Sequence, residues 1–178
     1  MKSMLSKEKK DPVIDDAVQL VTFKVGGEEY GVDIYRITEV VRPLKITPLP
    51  QMPEFIEGVV NLRGVIIPIV DLRKRFALSG IIDNTKKMRM LITKGSVPGA
   101  LGATPEALLG LVVDSVQEVL HVSGKDIEPA PGAAKGQYAG FITGMGKVGD
   151  RLIILIDITK ILNQQERSAL AEAGHAGY

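Results

Sequence analysis

The sequence contains no cysteine and no tryptophan, and only 4% of its 178 residues are aromatic. Without cysteine the chain forms no disulfide framework, no thiolate zinc site and no cysteine nucleophile. Few aromatic rings are present to stack on bases, which disfavours binding of single-stranded nucleic acid. The 22 basic and 21 acidic residues nearly cancel, so the whole chain lacks the positive field that attracts a nucleic-acid backbone. We therefore expect no nucleic-acid partner.

Signals for membranes and secretion are also missing. No apolar run approaches the roughly 20 residues that span a membrane. The charged start of the chain is not followed by the apolar segment of a secretory signal. We expect a cytoplasmic protein without direct membrane insertion. Residues 1–16 mix Lys, Glu and Asp too densely to bury apolar surface, which predicts a mobile leader.

Valine and isoleucine dominate the apolar residues, with 18 of each. Their branched side chains favour strands, and the 19 glycines and 10 prolines supply turns between them. The composition therefore predicts a mainly β fold with many short strands. Apolar residues at helical spacing near the end of the chain predict an amphipathic C-terminal helix over residues 159–173.

Three sequence blocks occur twice in the same order, which indicates an internal repeat. The matching segments, each offset by about 80 residues, are 31–41 with 110–120, 46–50 with 127–131, and 58–76 with 144–162. Each copy is too small to bury much surface alone. We expect one domain over 17–158, divided into 17–85 and 86–158, in which two β units share a core and leave a groove between them.

Nothing in the sequence supports catalysis. The G-x-G-x-x-G match at 144–149 precedes an apolar strand instead of a helix, so it predicts a hairpin rather than a phosphate loop. His121 and His175 have no partnered nucleophile and are too few for a histidine metal site. Asp71 and Asp157 occupy equivalent positions before predicted helices, where N-capping explains an aspartate. We predict a protein that is not an enzyme and uses no cofactor or metal.

One charged pair breaks the symmetry of the repeat. Glu39 aligns with Glu118, so both copies keep the acid, whereas Arg63 aligns with Gly149. An exposed pair between Glu39 and Arg63 would contribute only about 0–1 kcal/mol to stability. The asymmetry leaves two interpretations open, a binding task for Arg63 or a local difference in architecture.

Residues 61–73 have the pattern N-L-R-G-x-x-x-P-I-x-D-L-R, which resembles the CheW family of chemotaxis coupling proteins. The resemblance extends from about residue 18 to residue 171 and includes the further segments 28–34, 53–60, 110–114, 127–131 and 149–156. It implies an all-β (mainly) fold of two pseudo-repeated five-stranded β-barrels packed side by side, with short helices.

The resemblance also implies an adaptor without activity of its own. Proteins of this family link the cytoplasmic tips of methyl-accepting chemoreceptors to the histidine kinase CheA, whose regulatory domain has the same two-barrel fold. Both are therefore expected partners. The free protein is expected to be a monomer, located at the membrane-associated chemoreceptor array when assembled.

By position, the resemblance assigns Glu39 and Arg63 to an acid–arginine pair that couples receptor and kinase. The same contact surface includes Asn61 and Gly64 of the turn that carries the arginine. An apolar receptor groove between the barrels would be lined by Ile34, Ile37, Val41, Gly58 and Val112. Strand alternation does not decide whether Ile34 and Val112 face this groove or the core.

Two segments depart from the family pattern. Residues 94–106 are longer than the usual hairpin and predict a flexible surface insertion. Residues 132–134 are small where relatives often carry larger side chains suited to a kinase contact. Two other functions stay open: a regulatory fragment of a histidine kinase, or a small-barrel nucleic-acid-binding protein that uses the basic cluster at 73–76.

Overall fold

The computed structural model describes residues 17–78, 84–95, 108–130 and 140–175. The predicted leader, most of the 94–106 insertion and residues 132–134 lie outside these ranges. The described strands are β1 (Val18–Val25), β2 (Glu28–Asp33), β3 (Ile37–Val41), β4 (Ile56–Leu62), β5 (Val65–Asp71), β6 (Arg89–Lys94), β7 (Leu108–Val113), β8 (Ser115–Val122), β9 (Ile127–Pro129), β10 (Ile142–Val148) and β11 (Arg151–Ile156). The helices are α1 (Leu72–Arg75) and α2 (Gln164–His175), and short 3-10 turns cover Ile34–Arg36, Thr85–Lys87, Gly124–Asp126 and Ile158–Lys160.

The strands form two sheets, ordered β8-β1-β2-β11-β10-β9 and β3-β6-β7-β5-β4. We call these the six-stranded unit and the five-stranded unit. The prediction of a mainly β fold with two pseudo-repeated, barrel-like units is confirmed, although one unit has a sixth strand. The additional strand β9 pairs with β10. Its counterpart in the other unit is a single bridge between Thr47 and Val59. In the described part of the chain, no helix is long and apolar enough to cross a membrane.

Each sheet contains strands from both copies of the repeat. The first two strands of the first copy, β1 and β2, lie beside β8–β11 of the second copy. Conversely, β6 and β7 of the second copy lie beside β3–β5 of the first. Parallel pairing of β2 with β11 and of β5 with β7 joins the copies. The expected division at residue 85 therefore does not separate the two units, because the copies exchange their leading strands.

The largest apolar cluster lies between the units and contains buried side chains from both copies. All four phenylalanines of the sequence belong to it or pack against it: Phe23, Phe55, Phe76 and Phe141. Each unit also has a smaller interior cluster, around Ile67 and Ile69 in the five-stranded unit and around Ile153 in the six-stranded unit. The four phenylalanines thus fill the shared core that the small size of each copy led us to expect.

Arg75 of α1 joins the two copies at this core. Its Nε donates a hydrogen bond to the carbonyl of Ile161 at 2.8 Å, and the repeat aligns these two residues with each other. Its guanidinium lies over the rings of Phe55 and Phe141, 4.6 and 5.4 Å from their centroids. These two phenylalanines are also equivalent in the repeat. The seam between the copies therefore contains one cation between two matching rings.

Side-chain caps fix where the helices begin. Asp71 and Asp157 each accept a hydrogen bond from the backbone N–H two residues later, which confirms the N-capping prediction. Helix α2 begins at Gln164, later than predicted. Asn163 and Glu166 exchange side-chain to backbone hydrogen bonds of 2.7 and 2.8 Å, a reciprocal cap that sets this start.

Candidate functional site

The predicted acid–arginine pair is formed. Nη2 of Arg63 donates a hydrogen bond to Oε2 of Glu39. Glu39 lies on β3 and Arg63 follows β4, and these are the two outer strands of the five-stranded sheet. The pair therefore bridges the sheet's two edges. The side chain of Arg63 is 69% exposed and that of Glu39 is 33% exposed, so the pair contributes at most about 1 kcal/mol to stability.

The hairpin between β4 and β5 holds Arg63 in a conformation that favours glycine. Arg63 and Gly64 are its two central residues, with φ of 52° and 89°, which is the signature of a type I′ turn. Asn61 closes the turn, because its Oδ1 accepts the Gly64 N–H at 2.7 Å. A left-handed conformation costs a non-glycine residue about 1 kcal/mol. The ion pair roughly offsets this cost, so stability alone gives little reason for an arginine here.

The acid of the second copy also binds an arginine, from a different position. Arg151, the first residue of β11, contacts Oε2 of Glu118 through Nη1 at 2.7 Å. It also donates to both carboxylate oxygens of Glu29, at 2.5 and 3.2 Å. The hydrogen bonds to Glu29 and Glu118 raise the pKa of Arg151. Because Glu29 is 12% exposed and lies on β2, this network ties neighbouring strands together inside one sheet.

A groove of about 310 Å³ lies between β3 and β8, which are outer strands of different sheets. Val40 of β3 and Val116 of β8 supply its apolar lining, and Lys87, Arg89, Ser115 and Gln117 complete it. Val40 is 42% exposed. The groove thus lies between the two units, where the repeat predicted one.

The predicted groove aliphatics do not line this cavity. Ile37 packs against the central cluster, and Val41 packs against the interior cluster of the five-stranded unit. Val112 belongs to that interior cluster and is buried, whereas Ile34 is half-buried in the 3-10 turn after β2. Because side chains alternate along a strand, Val40 points to the opposite face from Val41 and reaches the groove instead.

Gly58 has a structural role. Its φ is 139°, and a Cβ at this position would lie 2.1 Å from the carbonyl oxygen of Thr47. Thr47 exchanges backbone hydrogen bonds of 2.8 and 2.9 Å with Val59, the residue that follows Gly58. Gly58 therefore lets the segment after β3 cross closely over β4, and its position is buried.

Exposed apolar residues are the part of the surface that the sequence interpretation missed. They are Tyr35, Val40, Val119 and Leu152. The repeat contained a signal for two of them, since Val40 and Val119 align. Tyr35 is 77% exposed, whereas the second copy has Asp114 at this position, paired with Arg73 at 2.6 Å.

The described residues contain no group of three or more acidic or histidine side chains that could hold a metal ion. The G-x-G-x-x-G segment lies in the hairpin between β10 and β11, as predicted. His121 is exposed on β8, with its Nε2 3.0 Å from Nε2 of Gln19. The described structure thus offers two interleaved sheets, an intersheet groove and a charged hairpin, features suited to binding another macromolecule.

Comparison with known proteins gives the family. The model of the CheW-like domain matches residues 19–166. The chain is 36% identical to chemotaxis protein CheW of Klebsiella aerogenes over 148 residues, covering 83% of each chain. It is 35% identical to chemotaxis protein CheW of Treponema pallidum over 159 residues, covering 89% of this chain and 90% of that protein.

A solved structure supports the same assignment. The scaffolding protein TtCheW from Thermoanaerobacter tengcongensis superposes with a TM-score of 0.71 at 36% identity, over 84% of this chain and 94% of that one. The chain belongs to the CheW-like domain family. The predicted family is thereby confirmed, and with it the prediction of a chemotaxis scaffold rather than an enzyme.

Proposed function

We propose that this protein is a non-catalytic adaptor that couples the cytoplasmic tips of chemoreceptors to the histidine kinase CheA, at the receptor array in the cytoplasm. The observation that carries the proposal is Arg63, an arginine kept in a glycine-type conformation and paired with Glu39. The pair adds little net stability, so binding is the better explanation for its presence.

An adaptor must hold both partners at once, which requires two separate surfaces. The groove between β3 and β8 suits the receptor, because a helical tip can lay an apolar ridge between Val40 and Val116. Glu39 points to the other face of β3 from Val40. The hairpin with Asn61, Arg63 and Gly64 therefore offers a second surface that a kinase domain can contact while the groove is filled.

The basic cluster at 73–76 gives no support to nucleic-acid binding. Arg73 is 13% exposed and paired with Asp114 at 2.6 Å. Arg75 is 12% exposed and stacked in the seam between the copies. Lys74 alone is substantially exposed, and it pairs with Glu57 at 2.6 Å. These cations hold the fold together instead of presenting a field for phosphates.

Co-sedimentation with receptor-tip fragments and CheA tests the proposal. Wild type, Arg63→Glu and Lys147→Glu are compared after circular dichroism has shown that all three are folded. Lys147 is the matched control, since it is also an exposed cation paired with a glutamate, in the six-stranded unit. We expect wild type and Lys147→Glu to enter a ternary assembly and Arg63→Glu to be lost from it.

The alternative outcomes separate the claims. A wild-type protein that binds neither partner contradicts the adaptor function. If Arg63→Glu binds as well as wild type, the proposed adaptor function stands, but the proposal that Arg63 contacts a partner is refuted.

A further inference from the structure

The net charge of +1 conceals a strong separation of charge between the units. In the described residues, the five-stranded unit with its connections (34–78, 84–95 and 108–113) carries eleven basic and four acidic side chains. The six-stranded unit with its connections carries six basic and eleven acidic side chains. The groove between β3 and β8 lies where these oppositely charged halves meet.

Two cations, Lys87 and Arg89, line this groove, and two more stand next to them: Lys86 precedes Lys87 in the chain, and Arg42 follows strand β3. The register of β3 with β6 pairs Val41 with Met90, which places Arg42 opposite Arg89. Among the described residues, none of the four lies within ion-pair distance of a carboxylate. By contrast, Arg73 at the unit boundary and Arg151 within the six-stranded sheet are both paired with carboxylates.

Arg89 is held in place before any partner arrives. Its Nη1 donates to the carbonyl oxygens of Lys86 and Met88, at 2.9 and 2.7 Å. These bonds leave Nε and Nη2 as donors for a ligand, since a guanidinium has five N–H groups. A fixed side chain loses less conformational entropy on binding, and an arginine fork matches the two oxygens of a carboxylate.

We propose that Lys87 and Arg89 form a carboxylate-binding end of the groove, which selects a receptor tip that carries an acidic side chain beside its apolar ridge. This inference rests on the proposed function. Val40 and Val116 contact the apolar ridge of the receptor tip, and Lys87 and Arg89 bind its carboxylate. The acid fixes the register and orientation of the receptor helix in the groove.

A protein segment with one local acid fits these observations better than a nucleic acid. Two valines line the groove, and one of its walls belongs to β8 of the acidic six-stranded unit. A long polyanion would be repelled by that unit, whereas a single carboxylate next to apolar side chains contacts only the basic end.

Titration of a fluorescent receptor-tip fragment measures the effect directly. Lys87→Glu and Arg89→Glu are compared with wild type and with Lys125→Glu, an exposed lysine of the six-stranded unit that serves as control. We expect each groove variant to raise Kd by about tenfold or more and to flatten its salt dependence, with the control unchanged. Substituting the tip's acid by lysine should restore binding to Arg89→Glu.

Each other outcome overturns a defined claim. Unchanged Kd in Lys87→Glu, which has no described contact to lose, would refute the carboxylate site while the adaptor function stands. Absence of wild-type binding to the tip would refute the adaptor function and the inference together. Binding of a labelled RNA or DNA duplex that both groove variants abolish would identify a nucleic-acid site instead.

Discussion

The two copies of the repeat end in equivalent hairpins that have taken different forms. The hairpin of the first copy has Arg63 and Gly64 at its centre, both with positive φ, and sends its arginine across to Glu39. The hairpin of the second copy has Gly149 with φ of 61° followed by Asp150. The glutamate of this copy, Glu118, forms an ion pair with Arg151, which lies on strand β11 of the same sheet. One copy thus presents an exposed cation, and the other has an arginine that ties strands together.

This difference separates binding from architecture. In the second copy, Gly149 adopts the positive φ of the turn without strain, and Arg151 binds two glutamates of the sheet. Both residues therefore stabilise the fold. In the first copy the arginine occupies a position that favours glycine, which costs about 1 kcal/mol. Stability does not explain the arginine of the first copy, and this is the basis for proposing that this hairpin contacts a partner.

The largest expected effect concerns the two glycines where the chain crosses the sheet edge. Gly58→Ala should destabilise the protein by about 3 kcal/mol or more, because its Cβ would lie 2.1 Å from a backbone oxygen at positive φ. The equivalent Gly144→Ala places a Cβ 2.7 Å from the carbonyl of Glu128 and should cost about 1–2 kcal/mol. Urea unfolding of both variants measures the ranking. Equal costs would show that the two crossings are equally tight.

The seam between the copies gives the next effect. Arg75→Ala removes a hydrogen bond to Ile161 and a cation from between two phenylalanine rings, which should cost about 2 kcal/mol. Arg75→Lys keeps the charge but loses the planar stack, and should recover only part of this loss. Thermal unfolding compares the two. A full recovery with lysine would show that charge alone holds the seam.

Exchange of the turn residues has opposite effects on stability in the two copies. Arg63→Gly should change the free energy of unfolding by no more than about 1 kcal/mol, and a small stabilisation is expected. Removing the strain of an arginine in the left-handed conformation offsets the loss of the ion pair. Gly149→Arg should destabilise it by about 1 kcal/mol. Denaturant midpoints measure both. Marked destabilisation by Arg63→Gly would assign the arginine to architecture.

The smallest effect depends on pH. Nζ of Lys74 lies 2.6 Å from Oε2 of Glu57, and the interaction with this carboxylate raises the pKa of Lys74 above its ordinary value of 10.5. The second copy has Lys160 and Thr143 at these positions, without the acid. The stability from Lys74 is therefore fully present below pH 10.5 and is lost as pH rises through the higher folded pKa. Because Lys74 is 42% exposed, the loss is a few tenths of a kcal/mol.

Unfolding free energies between pH 8 and 11.5 test this difference between the copies. Lys74→Gln should reduce the decline at high pH by a few tenths of a kcal/mol, and Lys160→Gln should leave the decline unchanged. A decline that Lys160→Gln removes instead would contradict the assignment.

The sequence predicted the repeat and the β class, because each depends on residue types at fixed spacing, whereas the Glu39–Arg63 pair came from the resemblance to the CheW family. It did not reveal that the copies exchange strands, since the alignment offset is the same whether β1 and β2 lie beside β3–β5 of their own copy or beside β8 and β11 of the other. The aliphatic residues assigned to a receptor groove by the resemblance do not line the cavity between β3 and β8, and their role stays a prediction. Burial alternates along β3, so Thr38 and Val40 face outward while Ile37, Glu39 and Val41 are partly buried.

The most direct test of the account is the assembly of a double variant, Arg63→Gly with Gly149→Arg, in co-sedimentation with receptor tips and CheA. The variant keeps the composition and the net charge but moves the exposed arginine from the first copy to the second. We predict a folded protein that no longer enters the ternary assembly. Normal assembly by the double variant would show that the position of the arginine does not matter, and would contradict the claim that the first copy's hairpin is the binding surface.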